Sequence, residues 1–218
     1  MGEVLARSPA LSCQELAGTL FLAVWREFSS PFHQQEFVSC LIAQIAASTV
    51  STVSTVSPMA GGGGSESPAV TVSLHVLETL AASPAPNDLS RFSLFIRGLL
   101  DFADRLSVAQ ADSLLGVLCR LASESRESGN SFDELFILVR KYLQMSDAGH
   151  KKMGVLGCCA VLRFSRGDPE SAKNLFAFAG KATRNFPEIR LFFYERLTAG
   201  IEAGQIRGEV LEVREPRG

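Results

Sequence analysis

Ser12-Cys13-Gln14-Glu15-Leu16-Ala17-Gly18-Thr19-Leu20-Phe21-Leu22-Ala23-Val24-Trp25-Arg26-Glu27-Phe28 is the stretch that decides the fold class. Ser12 and Glu15 have the spacing of a capping box, the serine accepting from an unpaired amide and the glutamate reaching back. Leu16, Leu20, Ala23, Val24 and Phe28 then recur at i, i+4 and i+7, which predicts an amphipathic helix with that stripe inward. Pro31 predicts its end. A second helix is expected from about Gln34, with Phe37, Leu41 and Ile45 facing in.

Working outward, the same signals repeat. Helical patterning runs from Ala69 to Ala81 and breaks at Pro84-Ala85-Pro86; Asp88 is the expected cap of a helix burying Leu89, Phe92, Phe95, Ile96, Leu99 and Leu100. Ser107…Gln110 and Ser131…Glu134 are further capping boxes, opening helices over 108–123 and 132–145. Another helix is expected over 148–164. Asp168-Pro169-Glu170 supplies an N-cap, a proline at the first helical position and an acid in the first turn, and Asn185-Phe186-Pro187-Glu188 does nearly the same. From Ala47 to Pro68 the character changes to Ser-Thr-Val triplets and the run Gly61–Gly64. A three-residue repeat does not match the strand period of two, and the glycines carry high backbone entropy, so a disordered insertion is expected. Eight or nine helices with no strand predict an all-α protein, an α-solenoid of stacked antiparallel helix pairs. Its expected divisions are a helical start (1–46), the flexible insertion (47–68), a solenoid segment (69–205) and a tail (206–218).

The 218 residues are 46% hydrophobic, with a mean hydropathy of +0.17. A chain of that length buries about 70% of its unfolded surface, so a packed core is expected. Arg, Glu, Ser or Gly interrupts every apolar run before the roughly 18 residues that span a bilayer, and the first residues lack a basic leader followed by an apolar stretch. Membrane and secreted classes are therefore not expected. The five cysteines (13, 40, 119, 158, 159) form no CxxC; four lie in apolar helical patterns and read as reduced thiols packed as small hydrophobes.

Net charge is −2, but it is a cancellation. Residues 1–139 carry seven Arg, no Lys and fourteen acids; residues 140–190 carry ten Lys or Arg against four acids. All five lysines (141, 151, 152, 173, 181) fall in that second block. A block of that sign suits a DNA backbone or an acidic partner face.

A search for catalytic chemistry finds little. His33, His75 and His150 are far apart, with no HExxH and no carboxylate at metal-ligand spacing. Gly61–Gly64 lacks the Gly-Lys-Ser/Thr of a phosphate loop, and Cys158-Cys159 sits among Val155, Leu156, Val161 and Leu162, which points to core. No nucleophile–base pair appears, so a hydrolase reading has no residues to rest on. Phe176, Phe178, Phe186, Phe192 and Phe193, interleaved with Lys181, Arg184 and Arg190, have the composition of a single-strand stacking platform, but buried helix faces explain them better. The remaining candidate is Lys151-Lys152, set among Gly149, Gly154 and Gly157, small residues that permit close helix approach and leave slim side-chain cover. Cations in a helix's first turn oppose its macrodipole, a sign of use other than stability.

These residues carry a resemblance. Leu138-Val139-Arg140-Lys141-Tyr142-Leu143 followed by Lys151-Lys152-Met153-Gly154-Val155-Leu156-Gly157 resembles the monoubiquitination region of the Fanconi anaemia group D-two family. Gln35-Glu36-Phe37-Val38 through Leu41-Ile42-Ala43-Gln44-Ile45 is similar to another helix of that family. So are Phe95-Ile96-Arg97-Gly98-Leu99-Leu100-Asp101-Phe102-Ala103-Asp104 and Arg190-Leu191-Phe192-Phe193-Tyr194-Glu195, in the same order. The paralogous group I family fits the 95–104 run much less well. Members are far longer, so the resemblance implies a fragment.

What the resemblance implies is a scaffold rather than an enzyme, with no cofactor. It would be a nuclear, chromatin-associated clamp subunit of interstrand cross-link repair and homologous recombination. The implied partners are the Fanconi anaemia group I protein, the Fanconi core-complex ubiquitin ligase with its ubiquitin-conjugating enzyme, ubiquitin and double-stranded DNA. In the family's Lys-x-x-Gly-x-x-Gly pattern the acceptor matches Lys151, with Lys152, at a usually apolar position, as second choice. A neighbouring cation at Lys152 or Lys141 is expected to lower the acceptor's pKa. Arg140, Lys141, Lys152, Lys173, Lys181 and Arg184 are the candidate basic patch facing DNA or a partner. The alternative is a generic helical-repeat adaptor without modification.

Overall fold

The computed structural model describes residues 1–51, 67–83, 89–124, 130–164 and 169–206. The described residues form ten α-helices and two 3-10 segments, with no strand among them. The fold is all-α, built from neighbouring helices packed in pairs as in an α-solenoid. Chain contacts divide it into Met1–Leu121 and Ala122–Gly218.

In the first unit, α1 (Gly2–Ala6) and α2 (Leu11–Glu27) pack together, and α4 (Pro68–Ala82) lies against both α2 and α3 (Pro31–Ser51). Sequence reading finds α2, α3 and α4 but not α1, and it misplaces α2's cap and its buried face. Helix α2 starts at Leu11 with Ala10 as N-cap and no side-chain cap, so Ser12 is already inside it. The entry is closed instead by Ser8, whose Oγ accepts from the Ala10 amide at 3.3 Å and whose carbonyl accepts from Gln14 Nε2 at 3.0 Å. Leu16 and Val24 are 50% and 42% exposed, and the buried residues are Ala17, Gly18 and Trp25. The reason is Trp25. Its ring lies 5.5 Å from Phe37 and 6.3 Å from Phe92, and Phe37 also meets Phe21 and Phe28 edge-on. One residue is 100° of helix, so burying the largest ring turns Leu16, Ala23 and Val24 outward and leaves Leu20 and Phe28 half-buried.

Pro31 opens α3 rather than only ending α2, and Gln34 Nε2 reaches back to cap α2 by donating to the Phe28 carbonyl at 2.9 Å. Phe37, Leu41 and Ile45 are buried as expected. α3 runs to Ser51, taking in the first five residues of the expected insertion; residues 52–66, like Asp88 and Asp168, lie outside the described residues. Between Leu89 and Arg105 the expected helix is broken into a 3-10 turn, α5 (Ser93–Arg97) and a second 3-10 segment. The tighter 3-10 winding shifts the inward phase. Leu89, Phe92, Ile96 and Leu99 stay buried, Leu100 is half-buried, and Phe95 is 50% exposed.

The capping box at Ser107 forms in full. Gln110's amide donates to Ser107 Oγ and the Ser107 amide to Gln110 Oε1, at 3.3 and 3.2 Å, starting α6 (Val108–Glu124). Gln110 Nε2 also donates to the Ser67 carbonyl and to Thr71 Oγ1, tying α6 to the first turn of α4.

In the second unit, α8 (Ala148–Phe164) is the centre, packed by α7 (Asn130–Gln144), α9 (Pro169–Ala182) and α10 (Pro187–Glu202). α8 was predicted over 148–164 and is found there. Met153 through Leu162 are all buried, as a helix apolar on every side must be. Cys158 and Cys159 are inside that run, and burial, then Cys159, holds the Cys158 thiol well above its usual range. Cys119 is also buried, but Cys13 is half-exposed and Cys40 is exposed, its Sγ 3.1 Å from Glu3 Oε1, so not every thiol packs as a hydrophobe. α7 begins at Asn130, so Ser131 lies within its first turn; the Ser131 side chain is outside the described ones. Phe186, not Asn185, occupies the N-cap of α10, and Pro187 takes its first position. α10 ends on Gly204 (φ 66), whose amide donates to Ile201's carbonyl while the Gln205 amide donates to Gly200's, both at 2.9 Å.

α8 meets α7 through its glycines. A Cβ on Gly154 would lie 2.7 Å from Leu143 Cγ and 2.8 Å from the Leu143 backbone nitrogen, and one on Gly157 would lie 2.5 Å from Val139 Cγ2. Gly180, on α9, has open space around it. Gly154→Ala is therefore expected to destabilise the chain by about 1–3 kcal/mol. Gly180→Ala should be neutral or stabilising by up to ~1 kcal/mol. Denaturant unfolding followed by circular dichroism checks both, and a neutral Gly154→Ala would remove the close crossing. In the first unit, Ser73 is fully buried with its hydroxyl unpartnered. Ser73→Ala is expected to leave stability equal or raise it by ~1 kcal/mol, because it deletes a desolvated polar group at little cost in volume.

Candidate functional site

Helix α8 is started by Asp147, whose Oδ2 accepts from the His150 amide at 3.0 Å and contacts His150 Nδ1 at 2.8 Å. This cap is legible as Asp followed three residues later by His, although the sequence reading did not use it. The His150 ring stacks on Tyr142 of α7, centroids 5.9 Å apart. The hydrogen bonds from the His150 backbone and then its ring hold the Asp147 carboxyl below its ordinary range.

Lys151 follows at once, and its side chain is 4% exposed. Lys151, Gly154 and Gly157 share a helical face at i, i+3 and i+6, and both glycines lie against α7. The glycines thus deepen the cover over this lysine rather than thin it, which corrects the expected openness. The approach they permit puts Lys151 Nζ 2.8 Å from the Leu143 carbonyl in the last turn of α7. Nζ also lies 3.4 Å from the carbonyl of Ala182, the last residue of α9, and 4.5 Å from the Phe186 ring centroid. A cation that is misplaced in the first turn of its own helix thereby meets the negative ends of two others. Its pKa is lowered, and the cause is burial, not the neighbouring cations expected from the sequence. Lys152 is half-buried and lies 100° round the helix from Lys151.

The six residues of the basic patch are spread over the second unit. Arg140 and Lys141 are exposed on α7, and Arg140's guanidinium lies 5.9 Å from the Phe178 ring of α9. Lys173 is on the first half of α9, 3.9 Å from Glu170. Lys181 and Arg184 are exposed on either side of Ala182, at the turn that covers Lys151. The rings of the 176–193 stretch are engaged: Phe193 is buried against Phe176, Phe178 lies under Arg140, Phe186 under Lys151 and Phe192 under Arg196. Four of the five are half-buried rather than fully buried. Of the Lys151 contacts, sequence reasoning missed the Leu143 and Ala182 carbonyls, because any residue type supplies a carbonyl, and it assigned Phe186 only to core.

No group of three His, Cys, Asp or Glu side chains is arranged to share a metal ion among the described residues, and none of their helices is long and apolar enough to cross a membrane. Asp147→Ala is expected to cost about 1 kcal/mol at pH 7 through the lost cap. The folded carboxyl titrates below the unfolded one, so its contribution is present above about pH 4 and is lost as pH falls through the folded value. The stability gap between the two chains should therefore narrow at pH 3. Urea unfolding at both pH values checks it, and a gap unchanged at pH 3 would contradict the charged cap.

The chain is 27% identical over 150 residues to the Fanconi anemia group D2 protein of Gallus gallus, covering 60% of this chain and 10% of that protein. It thus spans about a tenth of that relative's length. The family described as "Fanconi anaemia protein FancD2 nuclease" matches residues 1–175, which include α1 to α8 and Lys151. This chain belongs to that family.

Proposed function

We propose that this chain is a scaffold segment of a clamp in interstrand cross-link repair, carrying the lysine to which ubiquitin is joined. The Fanconi group I protein, the core-complex ligase with its conjugating enzyme, double-stranded DNA and a nuclear, chromatin-associated setting complete the reading. The observation that carries it is the position of Lys151. It heads the Lys-x-x-Gly-x-x-Gly pattern inside the matched segment and lies on the same face as the two glycines that contact α7. Burial favours the neutral amine, the form that attacks a thioester. Lys152 points off that face and is the second choice.

In a reconstituted reaction with ligase, conjugating enzyme, group I protein and DNA, Lys151→Arg is expected to lose the conjugate and Lys152→Arg to keep it. Conjugation unchanged in Lys151→Arg would sink the assignment, and mass spectrometry of the modified peptide names the acceptor directly. Exposed Lys181 and Arg184 support the DNA contact. Double replacement Lys181→Glu and Arg184→Glu should weaken DNA binding and lower the log–log salt slope by about 2. A slope that stays the same would assign those cations elsewhere.

A further inference from the structure

Lys151 is more than buried: its ammonium is spent. Such a group has three N–H donors, and here two helix-end carbonyls and an aromatic face surround it. The contacts come from two places. Leu143 belongs to α7, whereas Ala182 and Phe186 bracket one short turn between α9 and α10. That turn is bonded to the end of α9 and to itself: the Thr183 and Arg184 amides donate to the carbonyls of Ala179 and Lys181 at 3.0 and 3.2 Å, and the Phe186 amide to that of Thr183 at 3.0 Å. Buried Thr183 also donates its hydroxyl to Ala179's carbonyl at 2.9 Å. The turn is thus continuous with the last turn of α9, so withdrawing it from Lys151 carries that helix end with it.

We infer that Lys151 is a latch, that acylation of its amine is gated by withdrawal of the 182–186 turn, and that the acylated lysine cannot close the latch again. The inference rests on the acceptor reading above but is read out without it. The chemistry sets the gate. The ammonium first gives a proton to solvent; the freed lone pair attacks the thioester carbonyl carbon of ubiquitin's carboxyl terminus. The new N–C bond forms as the C–S bond breaks, the thiolate leaves, and the nitrogen's second proton is lost to that thiolate or to water. None of this proceeds while the N–H groups are held by Leu143 and Ala182 and the Phe186 ring blocks approach. The product nitrogen is a neutral amide with one N–H. It can serve at most one of the two carbonyls and offers the ring no cation, so conjugation leaves the ends of α7 and α9 without their shared cap.

The test is acetylation of the full chain with the N-hydroxysuccinimide ester of acetic acid, with per-lysine rates followed by mass spectrometry. Lys151 is expected to react at least about tenfold more slowly than exposed Lys141 and Lys181, the factor that a local opening of modest cost imposes. Phe186→Leu keeps the apolar contact but removes the ring, and should raise the Lys151 rate roughly two- to fivefold while Lys141 and Lys181 stay as they were. Phe186→Tyr, which keeps the ring, should stay slow. Equal rates for Lys151 and Lys181 in the unaltered chain would overturn the latch. So would a Lys151 rate indifferent to Phe186→Leu, or one raised as much by Tyr as by Leu. Because no ligase takes part, failure here is separable from failure of Lys151→Arg to abolish conjugation.

Discussion

The second unit depends on how closely α8 approaches α7. Two positions without side chains, Gly154 and Gly157, let backbone and side chain of Leu143 and Val139 come to distances that a methyl group would forbid. Everything around Lys151 follows. Only at that separation does an amine in the first turn of one helix reach a carbonyl in the last turn of its neighbour. In this chain the spacing of Lys151, Gly154 and Gly157 is thus a packing rule. The glycines set the gap and the lysine fills its mouth.

Helix existence was legible wherever local chemistry was unambiguous. The Ser107–Gln110 capping box formed as read, and α8 spans the predicted 148–164 because an apolar run bounded by turns admits little else. Rotation about the helix axis was less legible. In α2 the stripe of Leu16, Leu20 and Val24 is a regular pattern, but Trp25 and the rings of Phe37 and Phe92 outweigh it. That contest is decided by tertiary packing, which periodicity does not contain. The 3-10 winding around α5 exposes Phe95 for a similar reason: a change of pitch is written in no single residue.

Of the site, the lysine and its glycines were readable, and its surroundings were not. Backbone carbonyls leave no trace in residue identity, and the partners of Lys151 come from positions 143, 182 and 186, distant in sequence. The apparent contradiction of a cation at a helix start is resolved only when the neighbouring helix ends are in place. The macrodipole argument was sound for α8 alone and changed sign in context.

The placement of Lys151 and Lys152 also bears on how this region tolerates change. The two residues are chemically identical and adjacent, yet a rotation of 100° puts one among helix ends and the other toward the flank. Residue identity alone does not distinguish them; helical phase does. Inserting one residue between Lys152 and Gly154 would therefore put Lys152 in place of Lys151 three positions before the first glycine of the α7 crossing, while leaving both lysines in the chain. In this helix a lysine's chemical address is an angle, and drift that preserves composition can still erase it.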